Sequence, residues 1–201
     1  DTALIGAKNG DDDNNNKADS GSVYVFTRSS SDGTFTQQSK IHAEGDAAVS
    51  NEFGRSVSLY GDTALIGAKI DDSVISIVYV FTRPNADGTF TEQDTLNATD
   101  AKTNDNFGIS VSLYGDTALI GASYDDFDDG NSIKSNSGSV YVFTRSSVDG
   151  TFERNEEQPK LNAGSDAAVD DFFGQSVSLY GDTALIGAYL DDDNKTNSGS
   201  V

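Results

Sequence analysis

Short apolar segments recur along this chain in a fixed order. The segment SVSLYG alternates apolar and polar positions, while DTALIGA and VYVFTR are short and rich in β-branched and aromatic residues. None of the three has the three-to-four-residue spacing of an amphipathic helix. Each segment therefore predicts a β-strand of about six residues.

Turn residues separate these predicted strands. A Gly-Asp pair joins SVSLYG to DTALIGA, and an Asp-Gly pair, the strongest short-range hairpin signal, follows VYVFTR and precedes a fourth segment such as TFTQQSKIHA. The unit is therefore predicted to be a four-stranded antiparallel meander. Its inner strands place apolar residues at adjacent positions, as in Leu65-Ile66, so both faces of each sheet must be covered. Neighbouring units stacked face to face would cover them.

The same blocks return several times, which indicates a repeat architecture. DTALIGA starts at Asp1, Asp62, Asp116 and Asp182, so the spacings are 61, 54 and 66 residues. We divide the chain into repeat 1 (1–61), repeat 2 (62–115), repeat 3 (116–181) and a partial repeat 4 (182–201). The predicted fold is all-β, a β-propeller-type array of four-stranded antiparallel blades. About three and a third repeats are not expected to close a ring by themselves.

Charge narrows the choice of partners. The chain has 33 acidic and 13 basic residues, a formal charge of -20, which disfavours nucleic acid and anionic membrane surfaces and favours cations. It has no cysteine, so disulfides and thiolate chemistry are excluded. No apolar run has the length of a membrane helix, and we expect no membrane insertion.

Phe-Gly pairs precede the alternating segment in three copies, at Phe53-Gly54, Phe107-Gly108 and Phe173-Gly174. Together with the following SVSLYGDTALIGA they resemble the FG-GAP repeat, which forms blades in integrin α-subunit heads and many bacterial surface proteins. The resemblance implies a propeller blade and an extracellular or cell-surface adhesive setting. The terminal proline of that family's motif is replaced here by Lys8, Lys69, Ser123 and Tyr189. From the residues alone, we expect Phe to be a packing anchor and Gly a position of close approach.

The calcium loop of the integrin-type repeat is missing, because only Gly-Asp joins the first two strands. Acidic residues are concentrated instead in the next connection, after Gly-Ala. They form a candidate calcium site, since hard cations prefer oxygen ligands; solvated turns rich in Asp and Asn are the alternative. The candidate ligands are Asp11, Asp12, Asp13, Asp19, Asp71, Asp72, Asp125, Asp126, Asp128, Asp129, Asp191, Asp192 and Asp193. A further acidic group precedes Phe-Gly and is expected to cap turns: Asp46, Asp105, Asp170 and Asp171.

Two sequons predict N-glycosylation, at Asn97 and Asn194, if the source glycosylates. Catalysis is not expected, because His42 is the only histidine and no nucleophile-elbow or phosphate-loop motif accompanies it.

The leading functional hypothesis is a non-enzymatic extracellular repeat protein for adhesion or structural assembly. It would be either a fibre subunit that self-assembles or binds protein partners through open blade edges, or a fragment of a longer propeller. Two alternatives remain open. One is an auxiliary propeller of a larger extracellular enzyme. The other is a propeller that binds a glycan or another ligand through loop aromatics, for which Tyr124, Phe127 and Tyr189 are the candidates.

Overall fold

The computed structural model describes residues 1–10, 20–43, 51–69, 76–146, 150–154, 160–192 and 198–201. Over these ranges the chain is all-β apart from one short 3-10 turn at Gly164–Asp166. No helix among the described residues has the length and apolar character needed to cross a bilayer.

The strands form a series of antiparallel sheets, which we call blades 1 to 4. Blade 1 contains β1 (Thr2–Ala7), β2 (Ser22–Arg28) and β3 (Phe35–Ile41), and blade 2 contains β4 (Ser56–Tyr60), β5 (Thr63–Ala68), β6 (Ile77–Thr82) and β7 (Thr91–Leu96). Blade 3 begins with β8 (Phe107–Tyr114) and β9 (Thr117–Ala122). It continues, after a small hairpin of β10 (Phe127–Asp128) and β11 (Ile133–Lys134), with β12 (Ser139–Thr144) and β13 (Glu153–Arg154). Blade 4 contains β14 (Phe173–Tyr180) and β15 (Thr183–Ala188).

Blades 2 and 3 are the four-stranded meanders that the sequence predicts. Their strand orders are β4-β5-β6-β7 and β8-β9-β12-β13, with each strand antiparallel to its neighbour. The Gly-Asp turn between the first two strands has a left-handed glycine in every copy, with φ of 59° at Gly61 and 58° at Gly115 and Gly181. Glycine adopts this conformation without a side-chain clash, which explains its place in the turn.

Both faces of each internal sheet are buried, as expected from the adjacent apolar positions. Ile66 and Leu65 are neighbours in β5 and are both completely buried. Ile66 packs in the core between blades 1 and 2, with Val23, Phe53, Tyr79 and Phe81, while Leu65 packs in the core between blades 2 and 3, with Val80, Phe107, Ile120 and Tyr141. Alternation along one strand therefore supplies two different cores.

The Phe-Gly pair lies at the junction between blades. Phe107 is buried and makes edge-on contacts with Tyr141 and Phe143, with ring centroids 5.4 and 6.2 Å apart. Gly108 has φ 82°. A Cβ placed on Gly67 of the preceding blade would overlap the carbonyl oxygen of Gly108. The expected roles of Phe as an anchor and Gly as a position of close approach are both confirmed.

The first strands of blades 2, 3 and 4 lie side by side and are joined by serine hydroxyls. Ser56 Oγ donates to the Gly108 carbonyl at 2.7 Å, and Ser58 Oγ accepts from the Leu113 amide at 2.9 Å. Ser110 and Ser112 repeat both bonds with Gly174 and Leu179, at the same distances. At the turn end of these strands, the rings of Tyr60, Tyr114 and Tyr180 form a row with centroids 5.0 and 5.1 Å apart.

No sheet closes on itself among the described residues, and the arrangement is that of a partial β-propeller. The two outermost sheet faces are consequently open. Ile5 in blade 1 is 54% exposed, whereas its counterparts Ile66 and Ile120 are fully buried. Leu185 in blade 4 is 57% exposed, whereas Leu65 is fully buried.

Candidate functional site

The acidic residues after Gly-Ala were the predicted ion ligands, and the structure describes only some of them. Asp125, Asp126, Asp128, Asp129, Asp191 and Asp192 lie in described segments; Asp11, Asp12, Asp13, Asp19, Asp71, Asp72 and Asp193 lie outside the described residues. Asn194, one of the two sequon residues, also lies outside them.

Asp125 is buried in an ion pair. Its Oδ2 accepts from Lys160 Nζ at 2.5 Å, and only 3% of its side chain is exposed. Asp125 follows β9, whereas Lys160 comes from the outer segment of the same blade, where Leu161 pairs with Val140. The lysine ammonium thus supplies the positive charge that a buried carboxylate requires.

Lys160 also contacts Asp100, which follows the last strand of the preceding blade. Its Nζ also lies 3.2 Å from Asp100 Oδ2 and 3.4 Å from the Tyr141 hydroxyl, and it sits 5.4 Å from the centre of the Tyr141 ring. Burial would lower the pKa of Lys160, but the hydrogen bond and charge of Asp125, with smaller contributions from Tyr141 and Asp100, raise it well above its ordinary value. The ammonium is therefore held in its charged form.

Asp100 links blades 2 and 3 through two cations. Arg154 Nη1 donates to Asp100 Oδ1 at 2.8 Å and to Thr99 Oγ1 at 3.0 Å, and its guanidinium lies over the Tyr141 ring at 5.1 Å. Burial acts to raise the pKa of Asp100, but Lys160 and Arg154 outweigh it and lower that pKa. We call Asp100, Asp125, Tyr141, Arg154 and Lys160 the charged cluster.

The other described acids of the loop after β9 stabilise turns. Asp126 Oδ1 accepts from the Asn136 amide at 3.0 Å, and Asp128 Oδ1 accepts from the Gly130 amide at 2.9 Å. Asp129 Oδ1 accepts from the Asn131 and Ser132 amides, and these bonds lower its pKa. The bonds of Asp128 and Asp129 are the local ones that favour Asp in turns, whereas Asp126 joins two parts of the loop that lie ten residues apart.

Asp191 and Asp192 follow β15, at the place where Asp125 and Asp126 follow β9. The Asp191 carbonyl accepts from the Gly199 amide at 2.8 Å, just as the Asp125 carbonyl accepts from Gly138 at 2.9 Å. Asp192 is exposed. Within the described ranges, no three acidic or histidine side chains come close enough to hold a metal ion. Calcium binding stays a prediction, because most of its proposed ligands lie in the undescribed segments.

The acids that precede Phe-Gly cap turns, as predicted for Asp105 and Asp171. Asp105 Oδ2 accepts from the Lys102 amide at 2.6 Å, and Asp171 Oδ2 accepts from the Ala168 amide at 2.6 Å. Both are buried. Burial raises the pKa of Asp105, and the nearby charge of Asp125 raises it further. Asp46 lies outside the described residues.

Sequence reasoning missed an arginine that joins the blades. Arg145, buried at the end of β12, donates from Nε to Asp116 Oδ1 at 3.0 Å and from Nη1 to Thr63 Oγ1 of the preceding blade at 2.9 Å, and it lies 4.7 Å from the Phe152 ring centre. In blade 2, Arg83 makes the corresponding contacts with Asp62, Thr2 and Phe90. The signal was in the repeats, since the first Asp of DTALIGA, the Arg of VYVFTR and the Phe of DGTF recur together.

Two of the three loop aromatics proposed as ligand contacts come together, and the structure adds a third. The Phe172 ring lies between Tyr124 and Tyr189, with centroids 4.9 and 5.5 Å apart. Phe127 lies instead in β10 and is partly buried. We call Tyr124, Phe172 and Tyr189 the aromatic platform.

Asn97, the described sequon residue, is exposed directly after β7. The hydroxyl of its sequon residue Thr99 accepts the hydrogen bond from Arg154 described above. Glycosylation at Asn97 stays a prediction.

Stacked antiparallel sheets, joined by a Phe-Gly pair and a Gly-Ala strand, define a propeller-like repeat domain. Comparison with protein families matches the FG-GAP repeat at residues 35–81, 90–143 and 156–201. The chain belongs to the FG-GAP repeat family, which confirms the resemblance found in the sequence. Comparison with curated proteins gave no significant match.

Proposed function

We propose that this chain is a non-enzymatic repeat domain that acts outside the cell in adhesion or structural assembly, by stacking blades face to face. The observation behind the proposal is the pair of open sheet faces, on blade 1 and blade 4. Their side chains are of the types that the internal interfaces bury.

The open face of blade 4 repeats the residues that contact the next blade elsewhere. Residues 176–188 have the same sequence as residues 56–68, so Ser176, Ser178, Thr183 and Leu185 correspond to Ser56, Ser58, Thr63 and Leu65. In blade 2 the two serines and Thr63 bond blade 3, and Leu65 is buried against it. The face of blade 4 therefore has the chemistry to receive another blade.

The open face of blade 1 carries part of the complementary set. Ile5, Arg28 and Phe35 correspond to Ile66, Arg83 and Phe90, which are buried in blade 2. Phe35 is 51% exposed, and the Arg28 pair with Asp1, at 3.1 Å, is open to solvent. Two different faces that fit each other favour a head-to-tail contact with a further blade, either of a second copy of the chain or of a longer propeller.

The extracellular setting in this proposal rests on the family resemblance. The large acidic surplus agrees with a role that uses protein surfaces, because it disfavours nucleic acid as the partner. The non-enzymatic part of the proposal is supported by the sequence pattern alone, in which His42 is the only histidine and no nucleophile-elbow or phosphate-loop motif accompanies it.

Sedimentation velocity over a range of protein concentrations tests the assembly. We expect the 201-residue chain to associate reversibly, and Leu185→Asp to shift it towards monomer, because a carboxylate on the open face opposes apolar contact. Ile133→Asp is the matched control, since Ile133 is exposed in the β10–β11 hairpin and belongs to neither blade 1 nor blade 4. A wild-type chain that stays monomeric at every concentration would overturn the assembly proposal.

A further inference from the structure

Phe172, the central residue of the aromatic platform, has a backbone conformation that an aromatic residue rarely adopts. The residue before Phe-Gly is left-handed in the described copies, with φ 43° at Glu52, 56° at Asn106 and 57° at Phe172. Asparagine tolerates this conformation, whereas a bulky residue such as Phe in it is an outlier. Strained positions of this kind persist where surrounding contacts compensate for them, and they are common at ligand sites.

The backbone around Phe172 is held on both sides by the loop of blade 3. The amides of Asp170, Phe172 and Phe173 donate to the carbonyls of Ser135, Asn136 and Ser137 at 2.9, 3.1 and 2.8 Å. Asn136 Nδ2 also donates to Asp170 Oδ1 at 2.7 Å. The ring of Phe172 is therefore positioned by bonds that do not depend on its own stacking.

The two tyrosines of the platform expose much of their surface. Tyr124 is 40% exposed and Tyr189 is 53% exposed, while Phe172, which lies between them, is buried. Phe172 and Tyr189 stack at an interplanar angle of 25°, and Tyr124 is tilted by 57° from Phe172. The Tyr124 amide is fixed by the Asp105 carbonyl at 3.1 Å. The platform is thus a supported aromatic surface at the loop end of blades 3 and 4.

Polar residues lie close to the platform residues along the chain. Asp126 and Asp170 lie two residues from Tyr124 and Phe172, and Asn136 bonds both of them, through its amide to Asp126 and through its side chain to Asp170. Carboxylate and amide groups bond sugar hydroxyls, while the C–H faces of a sugar ring pack on an aromatic ring. This combination of an exposed aromatic face and a polar border suits a carbohydrate better than an apolar peptide.

We propose that the aromatic platform binds a neutral carbohydrate, with a sugar ring stacked on Tyr189 or Tyr124 and hydroxyls bonded by Asp126, Asn136 or Asp170. A neutral sugar is favoured over an acidic one, because a chain with a formal charge of -20 repels anions. This site goes beyond blade assembly, since it lies in the loops at one end of the blades.

A glycan array of neutral oligosaccharides, followed by calorimetric titration with the best member, tests the proposal. We expect binding to at least one neutral oligosaccharide. Tyr189→Ala or Tyr124→Ala should weaken it at least about tenfold, as expected for removal of a central aromatic contact. Tyr60→Ala is the matched control, because Tyr60 is similarly exposed but lies at the opposite, turn end of the strands.

Phe172→Asn separates binding from folding. It installs the residue that the preceding repeat uses at the same left-handed position, Asn106, so we expect the melting temperature to be retained and sugar binding to be lost. Absence of binding across the array, or tyrosine variants that bind as well as wild type, would overturn the carbohydrate site. Neither result would alter the sedimentation behaviour on which the assembly proposal depends.

Discussion

The interface between blades 1 and 2 and the interface between blades 2 and 3 use the same apolar contacts but differ in charge. Phe53 and Phe107 occupy equivalent places, as do Arg83 and Arg145. Only the second interface has the charged cluster among the described residues. At the first interface Thr95 takes the place of Lys160: Thr95 precedes Leu96, which pairs with Val78, as Lys160 precedes Leu161, which pairs with Val140.

This difference separates two kinds of contact in a repeat protein. Contacts encoded in the repeated segments recur at each junction and hold neighbouring blades together. Among the described residues, contacts encoded in the variable connections differ from one junction to the next. The charged cluster belongs to the second kind, and it distinguishes the junction of blades 2 and 3 from the one before it.

The largest expected effect is at Lys160. Lys160→Met removes the cation from the buried carboxylate of Asp125, and we expect a loss of about 3 kcal/mol in the free energy of unfolding, since breaking a buried pair strands a charge. Thr95→Met is the matched change at the first interface, where it removes no charge, and it should cost less than about 1 kcal/mol. Urea unfolding measures both; equal losses would remove the distinction between the two interfaces.

An intermediate effect is expected for the arginines that both interfaces share. Arg83→Ala and Arg145→Ala each remove a buried guanidinium with bonds to two blades, and each should cost about 2 kcal/mol. Arg28→Ala provides the control, because Arg28 is half exposed and should cost no more than about 0.5 kcal/mol. Thermal and urea melts of the three variants check this. Clearly different losses for Arg83 and Arg145 would contradict a shared role.

The smallest expected effect is a loss of stability at acidic pH. Asp100 has a lowered pKa in the folded chain, so its ion pairs stabilise the fold above the carboxyl's ordinary pKa and lose that contribution as the pH falls through the folded value. Between pH 6 and pH 3, wild type should lose up to about 1 kcal/mol more stability than Asp100→Asn, since Asp100 is partly exposed. A wild-type response in Asp100→Asn would show that these pairs contribute little.

The sequence predicted the strands, their order and the burial of both sheet faces, because these follow from local patterns that repeat. Leu65 and Ile66 are adjacent, so one of them had to face each neighbour. The role of Phe107-Gly108 was also predictable from the types of the two residues. All of these properties are encoded within a few neighbouring positions.

The charged cluster could not be predicted from these local patterns. Its place in an acidic loop predicts that Asp125 is an ion ligand. Its partner is instead Lys160, which is 35 residues away and also pairs with Asp100 of another blade. The longer outer segment of blade 3 hides the equivalence of Lys160 and Thr95. Two members of the aromatic platform, Tyr124 and Tyr189, were predicted as candidate ligand contacts. Phe172, whose ring lies between them, was not, because the sequence does not show that its backbone is left-handed.

The serine hydrogen bonds between the first strands affect how easily the number of blades can change in evolution. The junction of blades 2 and 3 and the junction of blades 3 and 4 each use two hydroxyls of SVS and two backbone groups of the next blade, and a backbone group is present whatever the side chain. A duplicated or deleted blade would therefore meet its new neighbour through a junction that already fits. Unequal recombination between the nearly identical SVSLYGDTALIGA segments could alter the number of blades in one step, without any compensating mutation.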